Sequence, residues 1–516
     1  MRLSKLKRIL STTALLLVLA AAAGCGSESG SSSSGTGTSA PTSVADGAVQ
    51  GGEFIYGMST EPNSLDPYKT ETADTRRILF NVFEGLVRPD TNGNLQPAVA
   101  ESFKVSDDAL SYIFTIRKGL KFHNGNEVTA DDVKYSLDTA IAAGLEGFDA
   151  VASVEVADVA TVEITLKAPD PDFLPYLTTP VIPVDYTDQG SHPIGTGPFK
   201  FESYTPQQSL VLTKNDDYWQ EELPYLDKVT FKFEADTNAL LLDLQAGSID
   251  SASLDNATAE QLSAEDFTFY DQNSNSVQQL SLNNAVKPFD DVRVRRAISY
   301  AVDPDEIIAL AVSGKGVRVG SPVIPGLKTY YNDNLTNTYP KDLDKAREFL
   351  AQAGYPDGFS FTITVPSNYQ VHVDTAQVIV NELQAIGVTA DIQQVDFPTW
   401  LERVYTGRQY EATIISVDGT TLSPRSFLSR YVSTASNNFV NYKSADYDAL
   451  YTQAQSEPDA GRRADLYMQA QQLLSKDAAS VYIQDITNVS VLRKGFEGLL
   501  SYPLYVFDVS TIYQAQ

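Results

Sequence analysis

The chain has 516 residues, 38 Lys+Arg against 66 Asp+Glu, a formal charge of −28 and one cysteine. Its length predicts two or three lobes, and 42% hydrophobic with 20% charged residues belongs to a globular chain able to bury a sizeable core. The acid excess argues against nucleic acid and against anionic lipid, both of which reward basic surfaces, and the lone cysteine removes intramolecular disulfides, Cys-based zinc sites and iron–sulfur clusters.

Arg2, Lys5, Lys7 and Arg8 form a basic start without an acid, and an apolar run from Ala14 to Ala23 follows. A bilayer span needs about twenty apolar residues, so this shorter run reads as a secretory signal over residues 1–24. Ala22-Ala23-Gly24-Cys25 resembles a bacterial lipoprotein box, with alanine where leucine is usual three residues before the cysteine. That resemblance implies a diacylglycerol on Cys25. Residues 25–51 are mostly Ser, Gly, Thr and Ala without apolar periodicity, which predicts a flexible tether.

Beyond the tether, Ile78, Leu79, Val82, Phe83 and Leu86 recur at helical spacing. Residues 93–167 are richer in strand than helix, interrupted by a capping box at Thr129 and Asp132 that opens a helix through Val133 and Leu137. Val229, Phe231 and Phe233 alternate as a strand. After Asp290 helices and strands alternate regularly, as in an α/β lobe. The helix through Ala346, Phe349 and Leu350 ends at Gly354 and Pro356, and Phe359, Phe361, Ile363 and Val365 form a strand. A helix through Ala376, Val380, Leu383 and Ile386 stops at Gly387 and leads into a strand over 388–395. Neither an internal repeat nor a membrane-length apolar run occurs.

Catalytic patterns were sought and do not stand out. His123, His192 and His372 are the only histidines, none in a metal-binding pair, and each reads as a surface or turn residue. No G-x-S-x-G elbow is present, and lipidation of Cys25 leaves no cysteine as nucleophile. Gly195-Thr196-Gly197 is followed by Pro198, which lacks an amide hydrogen, so it reads as a turn entering a strand rather than a phosphate cradle. Gly314-Lys315-Gly316 lacks the Ser or Thr of a P-loop. The run Arg293, Arg295 and Arg296 reads as the solvated face of a helix.

Other segments resemble a known family. Glu61-Pro62-Asn63-Ser64-Leu65-Asp66-Pro67, Asn81-Val82-Phe83-Glu84-Gly85-Leu86 and the stretch from Phe114 through His123-Asn124-Gly125 to Val133 are similar to the family 5 extracellular solute-binding proteins, the peptide- and nickel-type receptors of ABC importers. Gly195-Thr196-Gly197-Pro198-Phe199, Pro288-Phe289-Asp290-Asp291-Val292-Arg293 and residues 343–358 continue the resemblance in order. It implies an α/β, two-lobed type II periplasmic-binding fold with an additional inserted domain, like the cluster C receptors. Carried onto this chain, lobe I is discontinuous over 52–72, 190–281 and 489–516, the inserted domain covers 73–189, and lobe II covers 282–488. Two crossing strands, near 277–284 and 480–490, would form a hinge that closes the lobes on a ligand.

The resemblance also implies a role without chemistry. The receptor would capture peptides or peptide-like solutes outside the cytoplasm, as a monomer anchored to the outer membrane face through Cys25. It would deliver them to a permease driven by ATPase subunits, with no cofactor, metal ligand, catalytic residue or nucleic-acid partner. An oligosaccharide or metal chelate is the alternative cargo, and a surface-anchored hydrolase is the reading from another class.

Peptide-binding members of the family hold the ligand's amino group on an aspartate in a Trp-x-x-Asp stretch, with a proline four residues further on. Aligned on Pro424 and Phe427, this chain places Val417 at the tryptophan, Thr420 at the aspartate and Ser423 at a usual acid, so the anchor is altered. Asp418 lies two residues before Thr420, on the same face if the segment is a strand. It either reaches the same pocket or is a solvated loop acid beside Gly419. Trp400 matches a tryptophan that lines the cleft in peptide-binding members, or else packs a helix.

Overall fold

The structure, a computed structural model, describes residues 36–38 and 47–516 apart from 71, 235, 420 and 505. The expected signal, Cys25 and Thr420 lie outside the described residues. Within the segment expected as tether, two short stretches are paired. Thr36–Thr38 is an edge strand on Ala100–Val105, and Ala48–Val49 pairs with Tyr513–Ala515. A sheet edge offers unpaired amides and carbonyls that any extended chain can satisfy, which composition does not reveal.

The largest sheet has twelve strands and is held together by one of them, Val481–Arg493. This strand is rich in β-branched residues and almost wholly buried, as a strand covered on both faces requires. Its first part pairs with Ser276–Leu282, which leads through Ala412–Asp418 and Ser360–Pro366 to Thr389–Val395. Its last part pairs with Phe267–Asn273 and with Ser251–Leu254, which leads to Glu53–Met58, Lys228–Phe233, Ser209–Lys214 and Phe199–Thr205. A separate five-stranded antiparallel sheet is built from Thr36–Thr38, Ala100–Val105, Ser111–Ile116, Thr161–Leu166 and Val151–Asp158. The helix Ala130–Ala142 packs on it and opens with the expected capping box at Thr129 and Asp132.

Buried side chains divide at the same places. One core runs from Leu86 to Val181. A second joins residues 54–83, 182–233 and 492–512, with a satellite under Leu240–Phe267. Two more lie between Val277 and Ile483, and a small one joins Tyr218, Leu223, Tyr225 and Tyr513. The helix expected through Leu86 is shorter and ends at Leu79. There Asn81 donates its amide to Arg77 O and Phe507 O at 3.1 and 2.8 Å, and its own carbonyl accepts from Phe199 N. These bonds replace the next helical turn and steer residues 81–87 into the space between two cores.

Gly195-Thr196-Gly197 is a turn leading into the strand Phe199–Thr205. A Cβ at Gly195 would fall 2.1 Å from Val82 O, and one at Gly197 2.7 Å from Asn81 O. Glycine is required here because two backbones touch. Arg295 departs from the expected solvated face. It is buried and donates to Ala478, Phe289 and Asp477 carbonyls, tying its helix to the end of the following one. His372 is likewise buried on the helix Gln370–Gln384, its Nδ1 2.9 Å from Gln278 Nε2, and burial lowers its pKa to about 4.

The chain crosses between halves of the large sheet at 273–276, just before the first segment expected as hinge, and at 484–487, within the second. Asp485 sits at this crossing, fully buried. Its Oδ1 accepts from Ser274 Oγ at 3.0 Å and from Ser276 N at 3.4 Å, while Oδ2 has no partner among the described residues. Burial raises its pKa to about 7. An unfolded aspartate loses its proton near pH ~4, so folding stability falls as pH rises from there through about 7. The loss amounts to as much as ~4 kcal/mol above that window. Asp485→Asn, which cannot ionise, is therefore expected to melt above the parent at about pH 8.5, with the advantage shrinking by more than half at about pH 5. Calorimetric melts at both values check this; an equal difference at the two would show that Asp485 is not held neutral.

Candidate functional site

The helix Ala73–Leu79 begins at Thr72, whose hydroxyl accepts from Thr75 N at 3.3 Å. Its two adjacent arginines point in different directions. Arg77 turns inward, donating to Tyr56 OH at 2.9 Å and stacking over the Tyr56 and Phe507 rings. Arg76 turns outward and places Nη2 3.3 Å from Oδ2 of Asp418, the last residue of the strand Ala412–Asp418. That strand is held in register by Ser276–Leu282, with Asp418 opposite Ser276. The ion pair thus joins a residue of the 54–83 core region to one at the mouth of the 277–483 region.

Behind this pair lies a cavity of about 170 Å³, walled by Leu79, Phe80, Phe83, Val87, Leu504 and Val506, with Arg76 and Gly419 at its edge. Glu84 and Arg88 also border it, but their charges are met within the protein. Glu84 accepts from Tyr218 OH and Trp219 Nε1 at 2.9 Å each, and Arg88 donates to Asp508 at 2.7 Å. Burial pushes the Glu84 carboxyl up, while Arg88 and these two donors pull it back. The cavity is therefore an apolar chamber with one solvent-facing ion pair at its edge.

The residues singled out in the sequence separate. Asp418 faces Arg76 at the cavity mouth. Val417, on the opposite face of the strand, is partly buried against the core that contains Ile415 and Phe427. Trp400 is buried in that core, stacked between Phe397 and Tyr405 with centroids 5.8 and 6.0 Å away, and its indole donates to Thr413 Oγ1 at 2.9 Å. It does not line the cavity. Sequence reasoning missed Arg76. The Arg76-Arg77 doublet was visible, but only the curvature of the short helix decides which arginine faces the cleft.

A second set of charges joins the Leu86–Val181 body to the 277–483 region. Arg425 Nη1 lies 2.5 Å from Asp170 Oδ2, and Arg463 Nε lies 3.0 Å from Asp172 Oδ1, which also neighbours the Tyr467 hydroxyl through Oδ2. Burial pushes the Asp172 carboxyl up, and Arg463 and Tyr467 pull it back. Asp303, Glu306 and Glu382 cluster closely enough to hold a cation, but the Lys341 ammonium already occupies that space, 2.7 Å from Glu306 and 2.9 Å from Glu382.

Removing one partner of a buried pair strands the other's charge. Asp172→Ala is expected to cost about 3–5 kcal/mol in urea unfolding, and the apolar double replacement Asp172→Leu with Arg463→Met to recover most of it. A single mutant as stable as the parent would mean the pair is solvated in solution.

Comparison with known proteins places this architecture. Residues 94–439, more than half of the chain, match the sequence profile of the bacterial extracellular solute-binding proteins, family 5 Middle. The chain belongs to that family of extracellular solute-binding proteins. It is 29% identical over 454 residues to heme-binding protein A of Haemophilus influenzae, covering 80% of this chain and 82% of that protein. It is 29% identical over 480 residues to glutathione-binding protein GsiB of Salmonella choleraesuis (strain SC-B67), covering 87% and 92%. The solved structure of DppA, an ABC transporter-associated periplasmic binding protein from Helicobacter pylori in complex with the peptide STSA, matches with a TM-score of 0.80 at 28% identity, over 91% of this chain and 99% of that one. The fold is accordingly the two-lobed type II periplasmic-binding fold. These relatives are named as binding proteins, and no described helix is long and apolar enough to cross a membrane.

Proposed function

We propose that this protein is the extracytoplasmic receptor of an ABC importer and that it captures peptides or peptide-like solutes by hinge closure, without turnover. The observation that carries this reading is Asp418 at the mouth of an apolar chamber, on the edge of one lobe and facing Arg76 of the other. The cores favour boundaries that differ somewhat from those the resemblance implied. The inserted domain would run over about 86–181 rather than 73–189, because Ile78 to Phe83 pack with lobe I. Lobe II would begin near residue 276 rather than 282, because Val277 and Leu280 pack with its core. The crossing of Val481–Arg493 with residues 273–276 supports a hinge there.

In this reading Asp418 takes the ligand's ammonium, and Trp400 backs the strand through its bond to Thr413. A lipid on Cys25 would hold the receptor, a monomer, at the outer face of the membrane, where the closed form meets permease and ATPase subunits. The kinship to peptide- and glutathione-binding relatives favours peptide-like cargo. One observation favours a non-peptide solute such as an oligosaccharide or metal chelate. Arg76 already neutralises Asp418, so the closed form does not depend on an incoming amine.

The test is a melt of the mature chain lacking Cys25 against a pool of short peptides and the same pool N-acetylated. Ligand at ~100 times its dissociation constant adds roughly 2.7 kcal/mol, a readily visible shift. Free peptides alone are expected to stabilise, and Asp418→Asn to weaken their binding ~10- to 100-fold, because hydrogen bonds to charged groups are worth ~1.5–3 kcal/mol. Stabilisation by both pools alike would remove Asp418 as the amine anchor. Stabilisation by neither, but by sugars or chelates, would favour the second reading.

A further inference from the structure

The Leu86–Val181 body meets its two neighbours through different chemistry. Toward the core of residues 54–83, 182–233 and 492–512 the contact is rich in hydrocarbon. Tyr68 packs on both cores, and Ile194 and Trp219 lie against the Leu86–Val181 side. The Tyr68 hydroxyl donates to Pro180 O at 2.6 Å, and the Arg117 guanidinium covers the Trp219 ring at 3.8 Å. Parting these surfaces would return apolar area to water, which is unfavourable.

Toward the 277–483 region the body presents charge. Leu95 packs on both cores there, but the closest contacts are Arg425 with Asp170 at 2.5 Å and Arg463 with Asp172 at 3.0 Å. The Tyr467 hydroxyl donates to the second oxygen of Asp172. All four charged side chains are at most 12% exposed. Arg425 holds Asp170 by Nη1 alone, and its Nε has no hydrogen-bond partner among the described residues. Surfaces of this kind are stable in two states: apart, water hydrates every group, and together each charge meets its opposite. Contacts between domains that move are accordingly more polar than permanent ones.

Both sides of this contact are joined to the cavity by short chain. From Asp172 the turn Leu174–Thr178 leads to Thr178 and Pro180 in the cavity wall. From Asp418 and Gly419 at the mouth a short loop leads to Arg425, and Ser426 Oγ accepts from Thr421 N at 3.2 Å within it.

We propose that the Leu86–Val181 body is a latch on closure. It travels with the 54–83 core, and its Asp170 and Asp172 hold the 277–483 region shut by binding Arg425 and Arg463. These four are positioning residues that touch no solute, and they maintain a closed population before any solute arrives. The inference rests on the hinge-closure reading above and gives the body a task within it.

Distances between two spin labels test this without any solute, on the mature chain lacking Cys25. The labels are carried by Val159→Cys, at a position 76% exposed on the body, and by Gln469→Cys, at an exposed position on the helix Ala460–Lys476 that bears Arg463. One short distance is expected to dominate in the parent. Asp170→Asn with Asp172→Asn strands both guanidiniums in the closed form, and opening hydrates them. A longer distance is therefore expected to appear, with the short-to-long ratio falling at least tenfold. Adding Arg425→Gln and Arg463→Gln removes the stranded charges and is expected to restore most of the short population. A purely structural contact would lower the melting temperature of the Asn variant and leave the distance unchanged, which overturns the proposal. So does a long distance that already dominates in the parent, or one that persists in the neutralised variant. Loss of cooperative melting in the Asn variant overturns it as well, because bodies free to part would leave those charges in water. The peptide-pool melt of the parent decides separately whether the receptor reading stands.

Discussion

One strand carries the mechanical logic of this protein. Val481–Arg493 is long enough to belong to two half-sheets, pairing with Ser276–Leu282 at one end and with Ser251–Leu254 and Phe267–Asn273 at the other. Its hydrogen bonds make the two halves one continuous sheet, so they cannot slide apart. Between those pairings, residues 484–486 pair with Gly316–Arg318, and Ser274 N donates to Ile486 O. Asp485 is buried there with one oxygen unpartnered among the described residues.

Around that strand, charge is used in two different ways. Between the Leu86–Val181 body and the 277–483 region, Arg425 with Asp170 and Arg463 with Asp172 and Tyr467 are largely buried and closely matched. Between the 54–83 core region and the 277–483 region, Arg76 and Asp418 meet more loosely and remain open to water. Burial amplifies both the attraction of a matched pair and the penalty of a broken one. The first set is therefore costly to break, and the second is not. The cavity beside it is largely apolar for the complementary reason: Glu84 and Arg88 reach its wall already satisfied.

Much of the fold was legible in local pattern. Capping at Thr129 and Asp132, the Gly354 stop, and the alternation over Ser360–Pro366 all reappear as elements, because each depends on neighbours a few residues away. The places where pattern misled share one cause. The helix that ends at Leu79 does so where the Asn81 carbonyl accepts from the amide of Phe199, far away in sequence. Arg295 and His372 lie inside because distant carbonyls or a glutamine receive them. Of the site, Asp418 was visible as an acid near an altered anchor, whereas Trp400 fills a core rather than the cavity wall.

By itself the sequence determined the class of the protein: its motifs, in order and with their spacing, specify an α/β receptor of the solute-binding type, since they encode turns, caps and glycine contacts that recur wherever that backbone is built. Only the tertiary structure decided that Arg76, 342 positions from Asp418, stands opposite it, and that Arg77 beside it does not. A helix of seven residues presents adjacent side chains about 100° apart, and which of them meets the cleft depends on how that helix is seated on Tyr56 and Phe507. That seating is a property of the packed core, and no stretch of local sequence contains it.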